Sequence, residues 1–213
     1  TLASQAINGA SAPELIMIYF EEPDHQGHDF GPQSPHTKDA LRNMDAHLQD
    51  LWENIQQGPR KDSVNLIVVS DHGMTLVSPE RKIECKKYLN PKWYERVEGN
   101  LPAQIYCKKG YVDSVYNALK DLPHQRVWRK KDIPAYLHYG THVNIGDIVV
   151  DPQEGWLVTD DKVKTGGMHG YDPTYSDMQA IFRAMGPSFR HITYPHFQNV
   201  NVYALLCHLI GIT

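Results

Sequence analysis

The sequence predicts an α/β fold, a mostly parallel sheet flanked by helices with a small α+β insertion. Two apolar runs, at residues 15–20 and 66–69, show no polar alternation, which is typical of strands buried on both faces of a parallel sheet. Between the runs, apolar residues recur at the three- and four-residue spacing of one helical face; they are Leu41, Met44, Leu48, Leu51, Trp52 and Ile55. This order of strand, helix and strand predicts a βαβ unit with a right-handed crossover.

The helix between the two runs has its own start and stop signals. Ser34 suits the N-cap position and Pro35 the first helical position, where a proline loses no hydrogen bond. Gly58 and Pro59 follow the last apolar position and predict the end of the helix. The helix is therefore expected to run from residue 35 to about residue 57.

The pattern changes over residues 75–164. Short mixed strands are predicted there, together with one amphipathic helix over residues 112–122, and hairpin-length connections favour antiparallel pairing. The predicted strands are 104–107, 127–129, 147–150 and 156–158. Core-like sequence then returns, with a strand at 180–182 and a closing helix at 201–212 whose apolar face is expected to be buried. We interpret residues 1–213 as one domain and residues 75–164 as an insertion within it.

Composition excludes several classes of protein. The chain has 213 residues, a formal charge of −4, 41 % hydrophobic and 22 % charged residues, which is ordinary globular usage. A binder of duplex nucleic acid would carry a dense basic face, and no apolar run approaches the roughly 20 residues that cross a bilayer. The three cysteines lie far apart without a C-x-x-C pair, which argues against a disulfide framework and a cysteine zinc site.

Acidic and histidine side chains cluster at three places in this histidine-rich chain. Asp24 and His28 follow the first apolar run, Asp71 and His72 follow the second, and His169 lies in a glycine-rich stretch. Ligands at the carboxyl ends of strands converge in α/β sheets, and Asp and His bind zinc-like cations where no thiolate is present. Each residue alone fits a turn or a solvated surface. Together they favour a metal site.

Several motifs carry a resemblance to a known family. They are residues 19–24 with Gly27-His28 and Gly31-Pro32, residues 70–74, Glu154-Gly155-Trp156, residues 169–172, Gly186-Pro187 and residues 201–212. In order and approximate spacing this set resembles the nucleotide pyrophosphatase/phosphodiesterase family, the type I phosphodiesterases of the alkaline phosphatase superfamily. The resemblance runs from about residue 14 to the end of the sequence.

The resemblance implies an alkaline-phosphatase-like fold and a two-zinc hydrolase. By position, Asp24, His28 and His169 correspond to the ligands of one zinc ion, and Asp71 and His72 to ligands of the second. It also implies cleavage of phosphodiester or pyrophosphate bonds in nucleotides or related small molecules, with a Thr or Ser nucleophile between the two metals. The members of this family mostly act outside the cytoplasm, so an extracytoplasmic location is expected from the resemblance alone.

The expected nucleophile has no counterpart in the sequence. In the family it belongs, with a further Asp ligand, to a segment that would precede Leu15, and Thr1 and Ser4 lack the required strand-to-helix turn. Ser70 and Thr75 flank the second motif, but no sequence feature identifies either as a substitute nucleophile. We therefore expect a catalytic domain truncated at its N-terminus, inactive alone, holding one zinc ion or none instead of two, and prone to self-association through an exposed sheet edge.

Two alternatives remain open from the sequence. The candidate metal ligands also fit another hydrolase of the same superfamily, one that acts on phosphate monoesters, sulfate esters or sugar phosphates. The form of the first motif, Pro23-Asp24-x-x-Gly27-His28, favours phosphodiesters. A degenerate module that binds metal or ligand without turnover would also show ligands and no nucleophile. Tyr171 and Asp172, beside His169, are compatible with either packing or support of a ligand histidine.

Overall fold

The computed structural model describes residues 2–9 and 11–212. Its helices are α1 (Leu2–Asn8), α2 (Asp24–Phe30), α3 (Pro35–Gln57), α4 (Val112–Leu119) and α5 (Asn201–Leu209). Its strands are β1 (Leu66–Val69), β2 (Thr75–Val77), β3 (Lys82–Ile83), β4 (Tyr94–Glu98), β5 (Ala103–Cys107), β6 (Gln125–Arg129), β7 (Ile148–Pro152), β8 (Leu157–Val158), β9 (Gly166–Met168) and β10 (Phe182–Met185). Short 3₁₀ turns occupy Cys85–Tyr88, Lys130–Asp132, Ala135–Leu137 and Ser176–Met178.

The chain forms two compact units. The first unit comprises Thr1–His25, Lys38–Asp71 and Ala180–Thr213, and the second comprises Gln26–Thr37 and His72–Gln179. Residues 75–164 thus fall within the second unit. Among the described residues, no helix combines the length and the apolar character needed to cross a membrane.

Helix α3 follows its sequence signals. It begins at Pro35 and ends at Gln57, as predicted. The Ser34 hydroxyl accepts the backbone N–H of Thr37 at 3.1 Å, so it satisfies one of the amides that a helix start leaves without a partner. Leu51 and Ile55 are buried at the far end of the helix.

The predicted strand over residues 15–20 is wrong, and so is the βαβ unit that depended on it. The described segment forms neither helix nor strand, and Met17 and Tyr19 are 82 % and 80 % exposed. An extended run becomes a strand only when a neighbour satisfies its backbone groups, and β1 pairs instead with β10, antiparallel, with Leu66 opposite Met185. Parallel pairing occurs among the described strands between β3 and β8.

The second unit has a core built on antiparallel strands. Its four-stranded sheet has the order β4-β5-β7-β6, with every neighbouring pair antiparallel. The sheet and α4 bury a fully enclosed set of apolar side chains, Ala103, Ile105, Val115, Leu119, Ile148 and Val150. The strands predicted at 104–107, 127–129, 147–150 and 156–158 are confirmed, with shifts of one or two residues. Helix α4 stops at Leu119, before the predicted 122, since Pro123 disfavours helical backbone at Leu122.

The predicted C-terminal elements exist with different bounds and burial. The strand predicted at 180–182 runs instead over β10, and the amide of Ile181 donates to the Ser70 hydroxyl at 3.0 Å rather than to a strand. Helix α5 ends at Leu209, and none of its residues is fully buried. The residues of the expected apolar face, Val202, Leu205, Leu206 and Leu209, are half-buried rather than buried.

Candidate metal centre

Asp24 and His28 lie on one face of a short helix. The sequence suggested a glycine-rich loop, but residues 24–30 form α2, and residues four apart share a helical face. The helix ends where the amide of Gly31 donates to the carbonyl of Gly27 at 2.8 Å and Gly31 takes a φ of +87°, which suits a glycine that follows a helix. Asp24 occupies the first turn, where the helix dipole favours a negative charge.

The pairing of β2 with β9 brings His72 and His169 together. These strands are antiparallel, with Thr75 opposite Met168, so the residues before β2 lie beside the residues after β9. The two imidazole rings stack with centroids 3.4 Å apart and planes at 10°. The His169 ring also lies near that of His28, with centroids 5.0 Å apart.

Two glycines allow β9 to approach α2 closely. A Cβ on Gly166 would overlap the carbonyl oxygen of His28, and one on Gly167 would lie 2.5 Å from the carbonyl oxygen of Gly27. The approach lets Nδ1 of His28 donate to the carbonyl oxygen of Gly167 at 2.8 Å. This bond fixes the ring orientation and the tautomer, so Nε2 carries the lone pair that a metal would use.

Asp24, His28 and His169 form a candidate metal group. One ligand atom from each lies within 4.8 Å of the others, and all three side chains are half-buried. A carboxylate with two imidazoles is a donor set that zinc binds in catalytic sites with three protein ligands. The donor chemistry and the fixed His28 tautomer therefore fit a zinc ion.

Asp71 and His72 are outside that group. Asp71 is exposed and follows β1 by two residues, while His72 donates from Nδ1 to the carbonyl of Gly73 at 2.8 Å. In the described part of the chain, the group of three or more candidate ligands contains neither of them. Their assignment to a second zinc ion stays a prediction.

None of the four hydroxyls considered from the sequence gains support as a nucleophile. Ser70 accepts the Ile181 amide, Thr75 is buried in β2, and Ser4 is buried within α1. Thr1 lies outside the described residues.

Sequence reasoning missed a buried ionic cluster next to His169. The Asp172 carboxylate accepts hydrogen bonds from Arg126, Tyr136 and Thr174. Burial opposes its charge, but these hydrogen bonds outweigh burial and hold the pKa of Asp172 well below its usual range. The sequence left the role of Asp172 open between packing and support of a ligand histidine. No sequence feature predicted its contacts with Arg126 and Tyr136, which lie 46 and 36 residues away.

Comparison with known proteins gives the family. Residues 1–172 match the family model of type I phosphodiesterase / nucleotide pyrophosphatase. Ectonucleotide pyrophosphatase/phosphodiesterase family member 5 from Homo sapiens is 37 % identical over 93 % of this chain, and member 7 from Rattus norvegicus is 34 % identical over 93 %. These alignments cover 43 % and 47 % of the relatives, so the chain spans about half the length of the curated relatives it matches.

A solved structure agrees over nearly the whole chain. An inactive variant of murine ectonucleotide pyrophosphatase/phosphodiesterase 5, in complex with AMP, superposes with a TM-score of 0.89 and 36 % identity. The match covers 99 % of this chain and 57 % of the murine chain. It confirms the predicted α/β, alkaline-phosphatase-like fold class. The chain belongs to the type I phosphodiesterase / nucleotide pyrophosphatase family.

Proposed function

We propose that this chain is part of an enzyme that hydrolyses phosphodiester or pyrophosphate bonds in nucleotides or related small molecules. The observation that carries the proposal is the convergence of Asp24, His28 and His169 in a member of this family. The murine relative in complex with AMP supports a nucleotide as the class of substrate.

Asp24, His28 and His169 would hold one zinc ion, and Asp71 and His72 would contribute to a second. Bound zinc would offset the negative charge that builds on the phosphoryl oxygens during displacement. The protein prepares the first site in advance. The Gly167 carbonyl orients the ring of His28, and the stack with His72 restricts the ring of His169, so less side-chain entropy is lost when the metal binds.

The nucleophile is proposed to be a Thr or Ser that is not among these 213 residues. The murine structure is an inactive variant in which a threonine is replaced by alanine, and Ser70 and Thr75 are respectively hydrogen-bonded to a backbone amide and buried in a strand. Both observations support the expectation that the chain alone turns over no substrate.

Zinc binding is the first test of this proposal. Titration of the metal-free chain should reveal one tight site, since the first site has three ligands and the second has two. Asp24→Ala should lower the affinity of that site at least about tenfold. Asp29→Ala removes an exposed carboxylate from the same helix and is expected to leave the affinity unchanged. Two equally tight sites, or equal effects of the two variants, would contradict the assignment.

Turnover is tested by adding an upstream segment that would supply the proposed nucleophile. A chimera would place the preceding part of the human member 5 catalytic domain upstream of these residues. We expect zinc-dependent hydrolysis of a chromogenic nucleotide phosphodiester, abolished by His169→Ala, and none by the chain alone. Hydrolysis by the chain alone would refute the proposal that the nucleophile is not among these 213 residues. A folded, zinc-loaded chimera without turnover would refute the proposed activity.

The same chimera separates the two alternatives. Faster hydrolysis of a chromogenic phosphate monoester or sulfate ester than of the diester would favour another hydrolase of the superfamily. Two observations favour a non-catalytic binding module: the Ser70 hydroxyl accepts a backbone amide, and Thr75 is buried. It would bind zinc and AMP without releasing product, even when the upstream region is present.

A further inference from the structure

Residues 170–172, which directly follow His169, lead to the ionic cluster around the buried Asp172 carboxylate. Gly170 adopts a φ of +100°, Tyr171 is buried, and Asp172 is only 3 % exposed. A carboxylate at this depth is costly unless hydrogen bonds and opposite charge compensate it. The groups that donate hydrogen bonds to the Asp172 carboxylate therefore hold the loop after His169 in place.

Four donors satisfy both oxygens of Asp172. Oδ1 accepts the backbone amide of Thr174 at 2.9 Å and its hydroxyl at 2.7 Å. Oδ2 accepts Nη2 of Arg126 at 2.7 Å and the hydroxyl of Tyr136 at 2.6 Å. Charge-assisted bonds of this length are the stronger kind in proteins.

The donors to Oδ2 come from separate elements of the second unit. Arg126 lies on β6, and its Nη2 also donates to Asp151 at 2.6 Å, the residue directly opposite it on β7. Tyr136 lies on the 3₁₀ turn over Ala135–Leu137. The carboxylate of Asp172 therefore ties the loop after His169 both to the four-stranded sheet and to this turn.

Tyr171 adds a second anchor to the same loop. Its hydroxyl donates to the carbonyl oxygen of Trp156 at 3.1 Å. Gly170, by contrast, has no side chain and a positive φ, so it contributes little rigidity of its own. The position of His169 is thus set on one side by β9 and on the other by the residues that bind Tyr171 and Asp172.

We propose that Asp172 is a positioning residue for His169, acting through the loop that joins them, and that Arg126 and Tyr136 extend this support to the sheet. The inference rests on the proposed role of His169 as a zinc ligand. Removing groups that orient a metal ligand commonly lowers metal affinity about 10- to 100-fold. We expect a loss of that size for Asp172→Asn and a smaller loss, about threefold, for Tyr136→Phe, which removes one donor of four.

The test measures zinc affinity by competition titration and the visible spectrum of the cobalt-substituted chain. Tyr136→Phe is the decisive variant, since Tyr136 is 47 % exposed by residue and its loss leaves the other three donors in place. Tyr106→Phe is its matched control, because Tyr106, on β5, also donates one hydroxyl hydrogen bond, at 2.6 Å, to a backbone carbonyl, that of Asn144. We expect weaker zinc binding and an altered cobalt spectrum for Tyr136→Phe and Asp172→Asn, and neither change for Tyr106→Phe.

Each other outcome decides against the proposal. If Asp172→Asn lowers only the melting temperature while zinc affinity and cobalt spectrum stay unchanged, the cluster is structural and the proposal is overturned. If Asp172→Asn does not fold, an unchanged zinc affinity in Tyr136→Phe overturns it. Absence of zinc binding in the unmodified chain would instead refute the proposed zinc site of Asp24, His28 and His169, which distinguishes the two failures.

Discussion

The imidazole ring of His72 lies against that of His169, 3.4 Å away and nearly parallel. The antiparallel pairing of β2 with β9 sets this relationship, because His72 precedes one strand and His169 follows the other. The two residues are the proposed ligands of different zinc ions. Two-metal sites place their ions roughly 3.5–4 Å apart, so ligands of the two proposed zinc ions are expected to lie close together, as these two rings do.

The two glycines of β9 lead to a prediction about backbone approach. Gly166→Ala should disrupt zinc binding, because its methyl group would meet the His28 carbonyl, which is backbone and cannot move away alone. Gly27→Ala is the control, since its methyl group would meet the flexible side chain of Met74. Zinc titration of both variants checks this: a loss of at least about tenfold is expected for the first and a smaller loss for the second. Wild-type affinity in Gly166→Ala would contradict the close approach.

The enclosed core of the second unit leads to a prediction about stability. Ile105 is fully buried between the sheet and its helix, so Ile105→Ala should lower the free energy of unfolding by about 2–5 kcal/mol. Val143 is 81 % exposed, and Val143→Ala should change it by less than about 0.5 kcal/mol. Urea unfolding of the two variants measures both values. Equal effects would show that Ile105 is not in the core.

The lowered pKa of Asp172 leads to a prediction about pH. A carboxyl with a lower pKa in the folded than in the unfolded state stabilises the fold above the unfolded value, about 3.9, and this contribution declines as the pH falls. Asp172→Asn should therefore melt well below the unmodified chain at about pH 7, and the difference should shrink below about pH 4. Asp121→Asn, at an exposed position, should show a small and nearly constant difference. A pH-independent gap for Asp172→Asn would contradict the pKa direction.

The exposed apolar segment over residues 15–20 leads to a proposal of self-association. Met17 and Tyr19 are almost fully exposed, and β1 has one strand neighbour among the described residues, so apolar surface and an open strand edge favour association. Size-exclusion chromatography with light scattering should show oligomers that grow with concentration. A double variant with Met17→Lys and Tyr19→Lys should shift the chain towards monomer. A clean monomer of the unmodified chain at high concentration would count against this proposal.

The elements that could be predicted from the sequence are those specified by residues within or next to the element. Helix α3 was predictable because Ser34, Pro35 and Gly58 mark its ends within the helix itself or next to it. The antiparallel strands of the second unit were predictable from short apolar runs between turns. The strand predicted over residues 15–20 was wrong because a strand needs a neighbouring strand to pair with, and an apolar run alone does not specify one.

The site shows the same division. Asp and His after apolar runs were visible in the sequence, and the structure brings Asp24, His28 and His169 together. The helix that carries the first two was missed because its glycine suggested a loop; Gly27 is instead buried there. The contacts of Arg126 with Asp151 and Asp172 were not predictable, since they depend on strand register and on a loop far along the chain.

Anomalous scattering at the zinc absorption edge locates a bound zinc ion relative to Asp24, His28 and His169. In crystals of the zinc-loaded chain, we expect a strong peak bounded by the carboxylate of Asp24 and the imidazoles of His28 and His169. A stoichiometrically bound zinc ion that lies elsewhere, with these three side chains turned away from it, would show that they do not form the zinc site.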